Sequence, residues 1–133
     1  MKMKISFDFD NTLTRPSVQE FATQLVHEGH EVWIVTSRYS EDGAPDNLKN
    51  NVRLSNRDVF EVAEDCGINL NHIHFTNMEF KVKFLKENNF LIHVDDDVSE
   101  LLEIRVHANK CIPINVDFNS WREECINQIT KFK

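Results

Sequence analysis

Glycine, proline and cysteine each occur only three times in the 133 residues, and tyrosine once. So little glycine and proline excludes a collagen-like or low-complexity polymer. Cys66, Cys111 and Cys125 are odd in number, widely spaced and form no C-x-x-C pair. Neither a disulfide framework nor a thiolate zinc site is expected from them, and they read as reduced, buried small hydrophobes. Nor is there a run of the roughly 18 consecutive apolar residues that a membrane span requires. The apolar stretch after Met1-Lys2-Met3-Lys4 ends in acid at Asp8, too soon for the core of a signal peptide, so a soluble cytoplasmic protein is expected. Positive charge is also scarce. Fifteen Lys and Arg against 22 Asp and Glu give a formal net charge of −7, which disfavours non-specific binding to nucleic acid or an anionic membrane.

What the chain does contain is enough apolar material, 41% of residues, for one domain over 1–133 with a core that needs no staples. Strand and helix patterns alternate along it. Lys4–Phe9 is a short strand closing on acids. A capping box, Ser17-x-x-Glu20, opens a helix in which Val18, Phe21, Leu25 and Val26 keep the period and Gly29 is the stop. Glu31–Thr36 has the continuous apolar middle of a strand covered on both faces. Residues 38–54 have no clear period and carry Gly43, Pro45 and several Asn, which predicts a long loop. Ser55-x-x-Asp58 opens a helix with Val59, Val62, Ala63 and Cys66 on its apolar side and Gly67 at its end. A third strand, His72–Thr76, precedes a helix over Asn77–Asn88 with Phe80, Phe84 and Leu85 inward. Phe90–Val94 is the fourth strand and Val98–Val106 a helix. Cys111–Val116 is a fifth strand whose Pro113 suits a sheet edge. Ser120-x-x-Glu123 opens the last helix, striped by Trp121, Cys125, Ile126, Ile129 and Phe132.

Five βα units with short connections predict an α/β, doubly wound (Rossmann-like) parallel sheet of five strands with helices on both faces. Ligands of such sheets bind beyond the carboxyl ends of the strands, near the topological switch point. Here the strand ends carry Asp8 and Asp10, then Thr36, then Asp95, Asp96 and Asp97. If the first and fourth strands are neighbours, four or five carboxylates share a small volume. They cannot all stay ionised without a cation between them. An all-oxygen set suits a hard divalent ion, and magnesium is the expected one because it also accepts phosphate oxygens. The simpler account, that Asp favours turns, explains one cluster more easily than two. A phosphoryl group also needs donors. Thr36 offers a hydroxyl with adjacent N–H groups, and Lys81, in the first turn of the helix before the fourth strand, offers an ammonium.

Asp8-Phe9-Asp10-Asn11-Thr12 resembles the D-x-D-x-T signature of the haloacid dehalogenase-like hydrolase superfamily. Thr36, in Val35-Thr36-Ser37-Arg38, resembles that family's second motif, Lys81 the third, and Asp95-Asp96 the paired-Asp form of the fourth. The motifs run in family order across essentially the whole chain. The resemblance implies a phosphate-monoester phosphatase in which Asp8 attacks phosphorus and Asp10 is general acid and then base. It implies magnesium held by Asp8, the Asp10 main-chain carbonyl and Asp96, with Asp95 behind them. Substrate contacts are expected from Asn11, Thr12, Ser37 and Arg38; Arg38, directly after the second motif, is the foremost of them, and Asn11 stands where the family commonly has Gly. Family dehalogenases lack the second acid, so Asp10 favours phosphate over halide chemistry. Receiver domains share the residue types but order them differently. The insertion points for a cap domain are nearly empty, which implies a member without a large cap and leaves the 38–54 loop as a partial lid.

Some positions stay open at this stage. Lys83 competes with Lys81, and Asp97 with Asp96. His72 and His74 alternate as metal ligands do but have no third partner, so strand polar positions are the better reading. His93, two residues before the acids, is either a site residue or a satisfied core histidine. Arg15, Arg53 and Arg57 lie near segments expected at the mouth. A small phosphorylated metabolite or nucleotide is the expected partner. Phosphorylated nucleic-acid ends, a phosphoprotein, or a non-catalytic phosphate-binding role are the alternatives.

Overall fold

A computed structural model describes residues 2–132. Its sheet consists of β1 (Lys4–Phe7), β2 (Glu31–Thr36), β3 (Ile73–Phe75), β4 (Ile92–Asp95) and β5 (Ile112–Asn115). All pairings are parallel and the order is β3-β2-β1-β4-β5. The chain steps outward from β1 to β3, crosses back to β4 and steps outward again to β5. The switch point therefore falls between β1 and β4, the two strands that end in acids.

The described residues form six α-helices: α1 (Pro16–His27), α2 (Lys49–Ser55), α3 (Arg57–Cys66), α4 (Val82–Glu87), α5 (Val98–His107) and α6 (Trp121–Thr130), of which all but α2 pack on the sheet. Reversing the direction of travel at β4 moves the right-handed crossovers to the opposite face. Side-chain alternation shows the result. Ile5, Phe7, Val32, Ile34, Ile92 and Val94 pack against Phe21 and Leu25 of α1, Val59 and Ala63 of α3, and Trp121 and Cys125 of α6. Phe21 sits edge-on to both Phe7 and Trp121, at 6.4 and 5.5 Å between ring centres. Trp33 and Val35 face the other way, into a smaller core with Leu85 of α4 and Ile104 of α5. The same alternation sends Ser6, His93 and Asp95 to that second side. No large cap is present among the described residues, and none of their helices is long and apolar enough to cross a membrane.

Several local expectations are corrected. β1 ends at Phe7, because Phe9 already belongs to a wide turn. α1 starts two residues early, with Pro16 in its first turn and Arg15 at the cap position without a side-chain cap bond, so Ser17 is not the cap. Ser55 ends α2 instead of capping α3, where Asn56 holds the cap position. Residues 38–54 are not all loop: a single 3₁₀ turn, Asp46–Leu48, leads into α2. Neither buries any residue, so no apolar stripe marked them. α4 begins at Val82, not near Asn77, since Asn77 and Met78 are left-handed (φ 54° and 70°). Phe80 therefore precedes the helix and is exposed, not inward; Ile126 on α6 and Phe132 beyond its end are exposed too. Pro113 does lie on an edge strand, β5, as its missing N–H required.

Candidate functional site

The polypeptide leaves β1 through a turn that sets the first two acids apart. Asp8 N–H still donates to Val94 O at 2.8 Å, holding Asp8 against β4. Leu13 N–H then reaches back to Asp8 O (3.1 Å) and Thr14 N–H to Phe9 O (3.3 Å), a span of five residues each. So wide a turn is possible because Asp10 stays extended and Asn11 adopts φ +59°, a region Asn tolerates better than most residues. Phe9 is buried beneath the turn and Asp10 is exposed above it. Thr12 Oγ1 lies 3.2 Å from Asp8 Oδ2 and 3.4 Å from Asp96 Oδ1, tying the turn to the end of β4.

Asp8 is almost wholly buried, and its Oδ1 accepts from Lys81 Nζ at 2.8 Å. The same ammonium donates to Asp95 Oδ2 at 2.7 Å. Behind this pair, His93 Nε2 meets Asp95 Oδ2 at 2.7 Å and its Nδ1 meets Ser6 Oγ at 2.7 Å. The arrangement has the outline of a nucleophile relay, but Ser6, His93 and Asp95 are all fully buried. No substrate reaches Ser6, so the chain of bonds serves to hold Asp95. Burial lowers the His93 pKa, and in the neutral ring with its proton on Nε2, that N–H donates to Asp95 while Nδ1 accepts from the Ser6 hydroxyl. Burial would raise Asp95, but His93 and Lys81 outweigh it and hold the carboxyl well below its ordinary range. Burial would lower Lys81, yet Asp95 and Asp8 keep it above the ordinary lysine value.

Asp8 differs from Asp95. Burial pushes it up to about 8 against the pull of Lys81, with the neighbouring Asp95 adding to the rise. Three buried carboxylates, Asp8, Asp95 and Glu100, surround a single buried ammonium. With all of them ionised, two negative charges are left uncompensated, and Asp96 stands beside them. Carboxylate oxygens of Asp8, Asp95 and Asp96 lie within 4.8 Å of one another. Hard oxygen donors at this spacing, with an anionic excess, fit a divalent cation such as magnesium. Asp97 is not part of this group. Its Oδ1 accepts from Ser99 N–H at 2.9 Å and Glu100 N–H at 3.4 Å, capping α5.

On the β2 side, Thr36 is buried and its Oγ1 accepts from Arg38 N–H at 3.3 Å. Ser37 O accepts from Met78 N–H at 2.6 Å, joining the loop after β2 to the one after β3. Arg38 is fully engaged. Its guanidinium lies over the Phe9 ring and forks onto Asp10 (2.9 and 2.7 Å) and Asp58 (2.8 and 3.2 Å). A further N–H reaches Ser55 O at 3.0 Å. The exposed Asp10 side chain is thus directed to Arg38 and not to the buried acids.

The structure therefore gathers Asp8, Thr12, Lys81, Asp95 and Asp96 into one cluster and links Asp10 to Arg38 beside it. Asn11 is exposed on the turn between them. Of the other arginines considered, Arg15 pairs with Asp117 at 2.7 Å, Arg53 with Glu41 at 3.9 Å, and Arg57 is exposed. His72 and His74 stack on Trp33 and Phe84, at 4.7 and 3.7 Å between ring centres; His74 lies in β3 and His72 just before it. Sequence reasoning passed over Ser6, Asp58 and Glu100 and left His93 open. The alternation of β4 was a usable signal, since it puts His93 on the same face as Asp95. Glu100 gave none, because only tertiary packing turns it inward. No family model matches the chain, and a search of curated proteins found no match.

Proposed function

We propose that the protein is a magnesium-dependent phosphate-monoester hydrolase of the haloacid dehalogenase-like type, acting through an aspartyl-phosphate on Asp8. One observation carries this reading. At the β1/β4 switch point a buried aspartate is paired with a buried lysine and flanked by two further aspartates. Asp8 attacks phosphorus as the bond to the leaving oxygen breaks, and Asp10 donates the proton that oxygen requires. Asp10 then takes a proton from the water that attacks the acyl phosphate, releasing inorganic phosphate and restoring the Asp8 carboxylate. Asp10 leaves its fork with Arg38 for these transfers, and the Arg38–Asp58 pair keeps the guanidinium in place meanwhile. Lys81, the Thr36 hydroxyl and the N–H groups after β2 receive the negative charge of the phosphoryl oxygens. Magnesium would be held by Asp8, Asp96 and the Asp10 carbonyl, and when bound supplies charge neutralisation at the phosphoryl group. A small phosphorylated metabolite or nucleotide suits a site with no large cap and a protein of net charge −7.

The test is turnover of a broad phosphate-ester panel with magnesium, excess chelator or calcium. Activity with magnesium, silence in chelator and poor turnover with calcium are expected, because calcium's looser coordination misplaces the reacting groups. Asp8→Asn should abolish turnover and leave the fold intact. A tenth of wild-type activity in that variant, or full activity in chelator, would sink the proposal.

A further inference from the structure

Lys81 sits where the chain has no regular element to place it. The approach passes through the left-handed Asn77 and Met78, and α4 starts only after Lys81, which occupies the cap position without a capping side chain. N–H groups at a helix start have no partner within the helix. The one at Lys81 is taken by Glu100, whose Oε1 accepts it at 3.0 Å from α5, 19 residues away. The other oxygen, Oε2, stands 4.0 Å from Lys81 Nζ. Glu100 is only 5% exposed, and a carboxylate is buried at such a place at a cost unless it is hydrogen-bonded and paired. Its own position is fixed by the Asp97 cap, which accepts Glu100 N–H in the first turn of α5. The acid run at the end of β4 and the lysine before it are thus joined twice: directly through Asp95, and through α5 and Glu100.

We propose that Glu100 is a positioning residue, which seats the Lys81 main chain so that its ammonium falls between Asp8 and Asp95. The kinetic consequence rests on the phosphatase reading; the seating does not. Glutamine at 100 keeps an oxygen for the Lys81 N–H and removes the charge, whereas methionine fills the space and removes the acceptor. Glu100→Met should lower kcat at least tenfold with KM changed less than threefold, because Lys81 meets the phosphoryl charge most strongly in the transition state. Glu100→Gln should keep at least a third of wild-type kcat. Amide hydrogen exchange supplies a second readout, independent of turnover. Exchange at Lys81 N–H should speed at least tenfold in the methionine variant and less than threefold in the glutamine variant, with the β4 amides unchanged in both. Wild-type exchange at Lys81 in the methionine variant would overturn the proposal. So would equal losses in the two variants, which would make the charge and not the main-chain seat the quantity that matters. If the wild-type protein hydrolyses no phosphate ester, the phosphatase reading falls, and the exchange comparison alone decides whether Glu100 seats Lys81.

Discussion

Two lysines two residues apart illustrate how burial assigns a role that spacing leaves open. Lys81 is 2% exposed with Asp8 and Asp95 carboxylate oxygens within 2.8 Å of its ammonium, while Lys83 is exposed. Lys81→Ala removes the only cation from a pocket of buried carboxylates, and an unpaired buried charge costs roughly 3–5 kcal/mol. It should therefore lower both activity and thermal stability, with Lys83→Ala near wild type in each. A reversed ranking in kinetics and melting would show that the wrong lysine had been assigned. Asp10 presents the complementary case. It is exposed and held by a guanidinium, so Asp10→Asn should barely change stability yet cost roughly 10²–10⁴ in turnover through the lost proton transfer. A comparable loss of melting temperature in both Asp10→Asn and Lys81→Ala would contradict this division.

The segment between β2 and α3 shows what an element can do without a core of its own. Residues 38–56 bury almost nothing, but they are fastened at defined points. Asn77 Oδ1 accepts from Ser40 N–H (2.8 Å) and lies within 3.2 Å of the Ser40 hydroxyl, and Asn56 Nδ2 donates to Tyr39 O at 2.8 Å. Gly43 packs directly on the Asn77 carboxamide, and a Cβ there would be driven into it. Gly43→Ala should therefore displace Asn77 and release the segment while leaving the two cores untouched. The expected result is several-fold faster proteolytic cleavage between residues 40 and 50, with a melting midpoint within a few degrees of wild type. Unchanged cleavage would mean that Asn77 does not fasten the segment. If the segment acts as a partial lid, the same variant should raise KM more than it lowers kcat, since Asp8 is held by Val94 O and Lys81 by Asp8, Asp95 and Glu100, none of them in the segment.

At the scale of the whole molecule the three cysteines report on the packing of both cores. All are buried. Burial pushes the thiols of Cys111 and Cys125 up to about 12, and raises Cys66 less. A thiolate is the reactive form, so a thiol reagent at pH 8 should modify the native protein only at its opening rate and all three residues at once in denaturant. Rapid native labelling of Cys125 would show that α6 does not pack as described. The sign of the pH effect follows from the same groups. Unfolded thiols ionise near the ordinary value of 9.0 and these two folded ones near 12. Across that interval the folded chain holds more protons than the unfolded one, so these groups make stability fall as pH rises. Net charge acts at this scale too. At −7, a phosphorylated oligonucleotide should be a worse substrate than a small ester and should improve as salt screens the repulsion. A tenfold preference for the oligonucleotide at low salt would reverse that choice of substrate class.

Some of this protein was fixed by local chemistry and could be read along the chain. Apolar runs closing on polar residues marked the five strands, Pro113 marked an edge, and Gly29 and Gly67 marked helix ends with φ of +88° and +76°. Asp8, Thr36 and Asp95 were legible because strand ends are where an α/β sheet presents polar groups, and Lys81 by its place at the start of the helix before β4. The rest depended on neighbours far away in sequence. α2 was hidden because it buries nothing and so has no stripe, and the start of α4 was hidden because left-handed backbone at Asn77 and Met78 leaves no periodic trace. Whether a carboxylate takes part in the cluster was likewise decided in three dimensions. Asp97 turned away to cap α5, Asp10 was drawn to Arg38, and Glu100 was turned inward onto Lys81. Periodicity records which face of an element is buried; only the packing of one element on another records what a buried polar group finds there.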